Sequence, residues 1–401
     1  MRAVDLLEPV LFTDAWGSHV SIASLQGRPI PSAEPESELW MGAHESGPCG
    51  ITRDGVATTL ADVIRADPEG EMGAECCTAY EGRLPFLLKV LAPGRAISIQ
   101  AHPTAEQASE VRRRDREAGD ADATYVDDWA KPEMLVAISP FRVFVGMRTA
   151  AETAALAKRL GVPRFSALVE DTSSAPDPAH AMLAAVLAIP EGEHAGFVRE
   201  LVAACVRVSS SPDAEGHHCA AVVRVAEDHP DDIGLAVLLL MHHRVLEPGD
   251  FIDVPAGVLH SYVSGLGIEV LANSDNVVRA GLTGKEKNVP ELLRIVDPEA
   301  DGNAGRAEPD PDLPATVRFP SSSDRFALRR IHDPAGLLLP GDGTPRIVFC
   351  LHGEVILTTP DEGPGSSLTL GPVRAAYLSA RDSGVRVTGS GEVYLVTLPS
   401  T

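Results

Sequence analysis

The chain has 401 residues, 44% of them hydrophobic and only 4% aromatic, with 35 glycines and 32 prolines. That is enough apolar material for one large domain or two to three smaller ones joined by many turns. A formal net charge of −23 excludes a general nucleic-acid binder and a binder of anionic membranes, since both need basic surfaces, yet leaves room for a few local cations around a small anionic ligand.

The first 147 residues read mainly as short strands and turns: "VSIASL" (20–25), "LPFLLKVLA" (84–92), "AISIQAH" (96–102), "EMLVAIS" (133–139) and "FRVFVGM" (141–147). One interruption is helical. Thr104 stands three residues before Gln107, a capping-box spacing, and Gly119 supplies a stop. From 148 to 243 the pattern changes to Ala and Leu at spacings of three and four, in "TAAETAALAKRLG", "HAMLAAVLAI", "GFVRELVAACVRV" and "IGLAVLLLMHHRV", separated by linkers rich in proline and acid. Strand character resumes at "GDFIDVPAGVLHSYVSG" (249–265), and from 321 onward short strands with frequent turn signals follow one another. The division is a β domain of 1–147 plus 244–320, a helical insertion of 148–243 and a second β domain of 321–401. Exposed loops are expected at 208–218, 300–314 and 360–366. The "HHC" (217–219) and "HH" (242–243) clusters read as solvated surface in a loop and at a helix end. The longest apolar run, "IGLAVLLLM" (233–241), is too short to span a bilayer. Six cysteines without a CxxC pair and an N-terminus without an apolar targeting region lead us to expect a reduced, cytoplasmic, soluble protein.

In "AISIQAHP", alternate residues of a strand share a face. Ser98, Gln100 and His102 point one way, and Ile97, Ile99 and Ala101 the other. Three polar groups on a buried face need partners there: a hydrogen-bond network, water or a metal. Two glycine-spaced motifs flank the helical block. Gly94 is followed after five residues by Gln100-Ala101-His102. Gly249 is followed after five residues by Pro255, then Gly257 and His260.

These spacings resemble the two metal motifs of the cupin family, a jelly roll, with Gln100 where many cupins have histidine. The fold this implies is mainly β: a cupin domain, a helical insertion and a second, cupin-like C-terminal β domain that packs against, scaffolds or covers the pocket. A small barrel suits a metal because inward side chains from different strands converge in one cavity, and Glu133 in "KPEM" supplies a carboxylate. The stretches "ELWMGAHESGP" (38–48), "LPFLLKVLAPGRAISIQAHP" (84–103), "KPEM" (131–134) and "VPAGVLHSYVSGLGIEVLANSDNVVRAGLTGK" (254–285) further resemble the type I mannose-6-phosphate isomerases (phosphomannose isomerases). That resemblance implies one Zn²⁺ per chain on Gln100, His102, Glu133 and His260. It also implies a pocket lined by Trp16, Ser98, Lys131, Tyr262, Glu269, Asp275, Arg279 and Lys285, with phosphate contacts from Ser98, Lys89, Lys131 and Arg148. Trp40 reads as a core aromatic and His44 as a residue fixing its loop.

The implied reaction interconverts mannose 6-phosphate and fructose 6-phosphate through a cis-enediol, feeding mannose and GDP-mannose metabolism. Removing a proton beside a carbonyl puts negative charge on oxygen. Arg279, permanently cationic and planar, suits that charge. Glu269 and Asp275 are the candidate bases, and Lys131 and Lys285 the candidate acids or electrostatic partners. The expected partner is a small hexose phosphate, with neither nucleic acid nor membrane, and the chain is expected to be a monomer. Other readings are an isomerase of another aldose, a non-catalytic sugar-phosphate sensor, and an iron-dependent cupin oxygenase, against which Gln100 and the lysine–arginine set speak.

Overall fold

The computed structural model describes residues 4–53, 55–119, 123–360 and 366–399. Two antiparallel sheets form its centre. One runs in the order Met241–Leu246, Phe141–Met147, His260–Ser264, Ile99–Ala101, Val278–Gly281. The other runs Asn303–Arg306, Asp250–Val254, Glu133–Ala137, Gly267–Ala272, Phe86–Leu91, Glu38–Met41, Val10–Phe12. Strand alternation sorts their side chains. Leu91, Leu135, Ala137, Phe141, Val143, Val145, Ile252, Val254 and Tyr262 meet in one interior cluster. Phe86, Leu88, Val90, Met134, Val136, Ile268 and Val270, on the opposite face of the larger sheet, pack with Phe349, Tyr377 and Tyr394 of the C-terminal sheet. Ile99, Ala101, Phe144 and Val263, on the outer face of the smaller sheet, pack against the helical block.

The helical block comprises Ala150–Leu160, Pro163–Thr172, Pro178–Leu187, Glu191–Val208, Ala214–Asp228 and Gly234–Leu238. No single helix among the described residues is long and apolar enough to cross a membrane. The predicted capping box forms. Thr104 accepts from the Gln107 N–H at 3.2 Å, and Gln107 accepts in turn from the Thr104 N–H at 2.9 Å. Gly119 ends that helix in the left-handed conformation.

Several local expectations differ. "VSIASL" is a short helix, Ser21–Leu25, with Ile22 and Ala23 buried, and three helices over Leu60–Ala79 interrupt what reads as strand and turn. "HHC" lies inside the Ala214–Asp228 helix, capped by Asp213, and His218 is buried. "HH" lies in the Met241–Leu246 strand rather than at a helix end. Of the expected loops, 361–365 lies outside the described residues, and 303–306 forms a strand along Asp250–Val254. Two segments that the sequence division groups with the first β domain pair instead in the C-terminal sheet. Asp5–Leu7 runs antiparallel to Arg374–Leu378, and Thr316–Phe319 joins Ala327–His332.

Candidate metal centre and cleft

Registers place the site. On the smaller sheet His260 lies opposite Gln100, which lies opposite Arg279, so three polar side chains stand abreast across three strands. On the larger sheet Glu269 lies opposite Lys89, and Glu133 begins the adjacent strand. All face the space between the sheets. Two glycines make the arrangement fit. A Cβ on Gly94 would lie 2.8 Å from the Gly17 carbonyl oxygen, where the turn before the Gln100 strand docks on Trp16–Gly17. Gly257, at φ +85°, donates its N–H to the His102 carbonyl at 2.9 Å, tying the two motifs together.

His102, Glu133 and His260 are buried, and their ligand atoms lie within 4.8 Å of one another. His102 Nε2 is 3.2 Å from Glu133 Oε1, and His260 Nε2 is 3.4 Å from Glu133 Oε2. Each imidazole is fixed from behind. His102 Nδ1 donates to the Asn276 carbonyl at 2.6 Å and His260 Nδ1 to the Val258 carbonyl at 3.0 Å. That sets the tautomer in which both Nε2 lone pairs point inward. Burial, with Lys131 adding to it, pushes His102 down to about 4, so its ring is neutral near pH 7. Burial opposes the charge on Glu133, but Lys131, 2.9 Å away, and the two histidines hold it well below the carboxylate range.

His102 Nε2 and Glu133 Oε2 are buried without hydrogen-bond partners among the described residues. Orphaned lone pairs converging on one point are costly and are what a divalent cation satisfies. Gln100 lies beside this group. Its Nε2 faces His260 Nε2 at 3.3 Å while its Oε1 accepts from Ser98 at 3.1 Å. Turned over, the same amide presents an oxygen. Two imidazoles, a carboxylate and an amide oxygen suit a zinc-type ion with an open position.

A cleft of about 510 Å³ opens above this floor, lined among others by Trp16, Ser98, Lys89, Lys131, Tyr262, Glu269, Arg279 and Lys285. Lys89 is buried and committed, with Nζ 3.0 Å from Glu38 and 3.2 Å from Glu269. Burial outweighs Lys89 at Glu269 and raises that carboxyl to about 7. The Tyr262 hydroxyl is buried without a hydrogen bond of ordinary geometry, and burial, with Glu269 and Glu133 near, raises its pKa far above the phenol range. The half-buried Arg279 guanidinium has no hydrogen bond or ion pair among the described residues. Lys285 is exposed at the lip.

Two expected pocket residues lie elsewhere. Arg148 is buried against the helical block, paired with Glu215 and bonded to His218 Nδ1 at 3.3 Å. Its strand has already left the cleft where it meets that block. Asp275 points into a separate hollow with Arg83 and Ser274, 3.3 Å from His44 Nε2, because the turn after Ala272 breaks the strand alternation. His44 also accepts from the Ser46 N–H at 3.1 Å, holding its loop, and Trp40 packs on Phe12 at a centroid distance of 4.4 Å. Residues the sequence does not single out also shape the site: Glu38, Asn276, Arg95, and Asp228 and His229 at the C-terminal end of the Ala214–Asp228 helix. Among the described residues the C-terminal sheet contributes nothing to the cleft lining, and it packs behind the larger sheet.

A family model for the catalytic domain of type I phosphomannose isomerase matches residues 6–150. The mannose-6-phosphate isomerase of Salmonella typhimurium is 30% identical, over 94% of this chain and 95% of its own; that of Escherichia coli is 30% identical over the same shares. Among solved structures, a variant of the Salmonella typhimurium phosphomannose isomerase superposes with a TM-score of 0.87 at 28% identity, and a zinc-bound mannose 6-phosphate isomerase with 0.85 at 28%, each pair aligned over 100% of both chains.

Proposed function

The chain belongs to the type I phosphomannose isomerase family, and on that premise we propose that it interconverts mannose 6-phosphate and fructose 6-phosphate with one zinc ion per chain. The observation that carries this reading is the cleft floor: His102, Glu133 and His260, buried and clustered, with His102 Nε2 and Glu133 Oε2 left without hydrogen-bond partners among the described residues, beside the Glu269 carboxyl poised at about 7. Held by these three residues and Gln100, zinc would act as a Lewis acid toward a sugar oxygen.

The rest falls to the chain's own groups. The reaction carries a proton between C1 and C2 while the carbonyl moves the other way, through a cis-enediol. Glu269 takes the proton from one carbon as carboxylate and returns it to the other as acid, since near its pKa it passes readily between both forms. Lys89 keeps that carboxylate accessible despite burial. Arg279, with its donors free and its strand beside Gln100, stabilises the negative oxygen of the intermediate. Lys131 keeps Glu133 ionised. Trp16, Ser98 and Tyr262 shape the wall that orients the sugar, and the product enters mannose and GDP-mannose metabolism.

A coupled assay of mannose 6-phosphate conversion tests this. We expect turnover that a chelator abolishes and zinc restores. Metal-loaded protein that fails to turn over either hexose phosphate refutes the reading.

A further inference from the structure

The substrate's phosphate is a dianion, and the cleft that must receive it is lined by Asp14, Glu38, Glu133, Asp228 and Glu269 as well as by cations. Lys89 lies between Glu38 and Glu269, and Lys131 against Glu133, so both deep lysines are already held by carboxylates. Arg279 stands abreast of Gln100, at the reacting end. The cations left for the far end of a hexose are Arg95 and Lys285.

Lys285 is exposed on a turn, a flexible point charge. Arg95 is held in place. Its N–H and that of Gly94 donate to the Trp16 carbonyl at 3.0 and 2.9 Å. The next residue, Ala96, accepts from His229 Nε2 at 3.1 Å, so the end of the Ala214–Asp228 helix clasps the same turn. The Arg95 side chain is 61% exposed, and its one ion pair among the described residues is loose, Nε to Asp228 Oδ1 at 3.3 Å. A planar fork on a fixed backbone, weakly occupied by an exposed carboxylate, matches a phosphate geometrically.

Resting on the isomerase reading above, we infer that Arg95 receives the substrate's phosphate and that Asp228 is the counter-ion it gives up as the sugar enters. Asp228 then sets specificity as a competitor: it occupies Arg95 when no dianion is present and repels weaker anions. The exchange also couples binding to the seam between barrel and helical block, since Arg95 and Asp228 sit on opposite sides of it.

The test compares Arg95→Gln, Arg95→Lys and Asp228→Asn with the parent, each checked for an unchanged melting curve. Measured are KM and kcat for mannose 6-phosphate and the inhibition constant of inorganic phosphate. We expect Arg95→Gln to raise KM and the phosphate inhibition constant about tenfold or more, with kcat falling much less, because a contact made equally in ground and transition states is removed. Arg95→Lys should recover part of this loss. Asp228→Asn should lower both constants by about two- to fivefold, the weight of an exposed ion pair. Constants within twofold of the parent in Arg95→Gln, or weaker phosphate binding in Asp228→Asn, overturn the inference. If the parent turns over no hexose phosphate, the isomerase reading falls, and calorimetric titration of the same proteins with inorganic phosphate still decides the role of Arg95.

Discussion

Asn276 is the side chain whose loss should be felt most widely. It is 1% exposed and stitches the loop before Lys131 to the turn before Arg279. Its Oδ1 accepts from the Val126 N–H at 3.0 Å. Its Nδ2 donates to the carbonyls of Asp127 at 2.8 Å and Trp129 at 2.9 Å and to the Asp127 carboxylate at 3.0 Å. Its own carbonyl holds His102 Nδ1 at 2.6 Å. Three or four buried hydrogen bonds at roughly 1 kcal/mol each, with their partners stranded, give about 3 kcal/mol for Asn276→Ala. Asn276→Asp keeps the shape but turns Nδ2 into an oxygen facing three acceptors, so it should cost at least as much. Displacing the carbonyl behind His102 should also loosen zinc about tenfold or more. Urea denaturation and competition with a chromophoric chelator read the two effects. An Asn276→Asp variant milder than Asn276→Ala, with zinc retention unchanged, would refute the reasoning.

Glu269→Gln should lower kcat by about 100-fold or more. In the parent the rising limb of kcat/KM against pH should centre near the Glu269 pKa of about 7, and Lys89→Met should move it upward, because the lysine is what opposes burial there. An unmoved limb in Lys89→Met assigns the base elsewhere. His218 is held at about 3, by burial first and Arg148 second. The folded protein therefore binds fewer protons than the unfolded chain below about pH 6.5, and stability falls as pH drops from there towards 3. Relative to pH 7.5 the loss at pH 5 is about 2 kcal/mol, and His218→Leu should remove it from the difference between urea melts at the two pH values. Arg346, fully buried in the C-terminal module, donates to Asp342 at 2.9 Å and to the Asp382 carbonyl. Arg346→Met should cost about 2 kcal/mol in the same melt, because it strands the buried Asp382 carbonyl, while leaving KM unchanged, and a raised KM would mean that this module reaches the cleft after all.

Which side chains of one strand share a face was legible from the local period, while the meeting of different strands' side chains at one metal was implied only by the family resemblance. Alternation alone puts Gln100 opposite in sense to Ile99 and Ala101, and His260 in step with Tyr262. The partners of Lys89 were not legible, since Glu38 and Glu269 reach it through cross-strand register that no local pattern encodes. Arg148 and Asp275 entered the expected pocket through the family resemblance, and the structure places them outside the cleft lining. Each sits just past the end of a strand, where alternation stops predicting direction. The Ala214–Asp228 helix was hidden by a polar start, "DAEGHHC", although Asp213 is an N-cap residue and Cys219, Val222 and Val225 recur every three residues. Reading that helix from sequence would have brought Asp228 and His229 into view as a wall of the cleft.

The pairing of residue 5 with residue 377 has a bearing on biosynthesis. Translation delivers the barrel strands and the helical block long before it delivers the partner of the first strand, so that strand waits without its sheet partner until residues 374–378 have been made. A product stalled before Arg374 carries a completed catalytic barrel together with a bare strand edge, the kind of template on which other chains pair and aggregate.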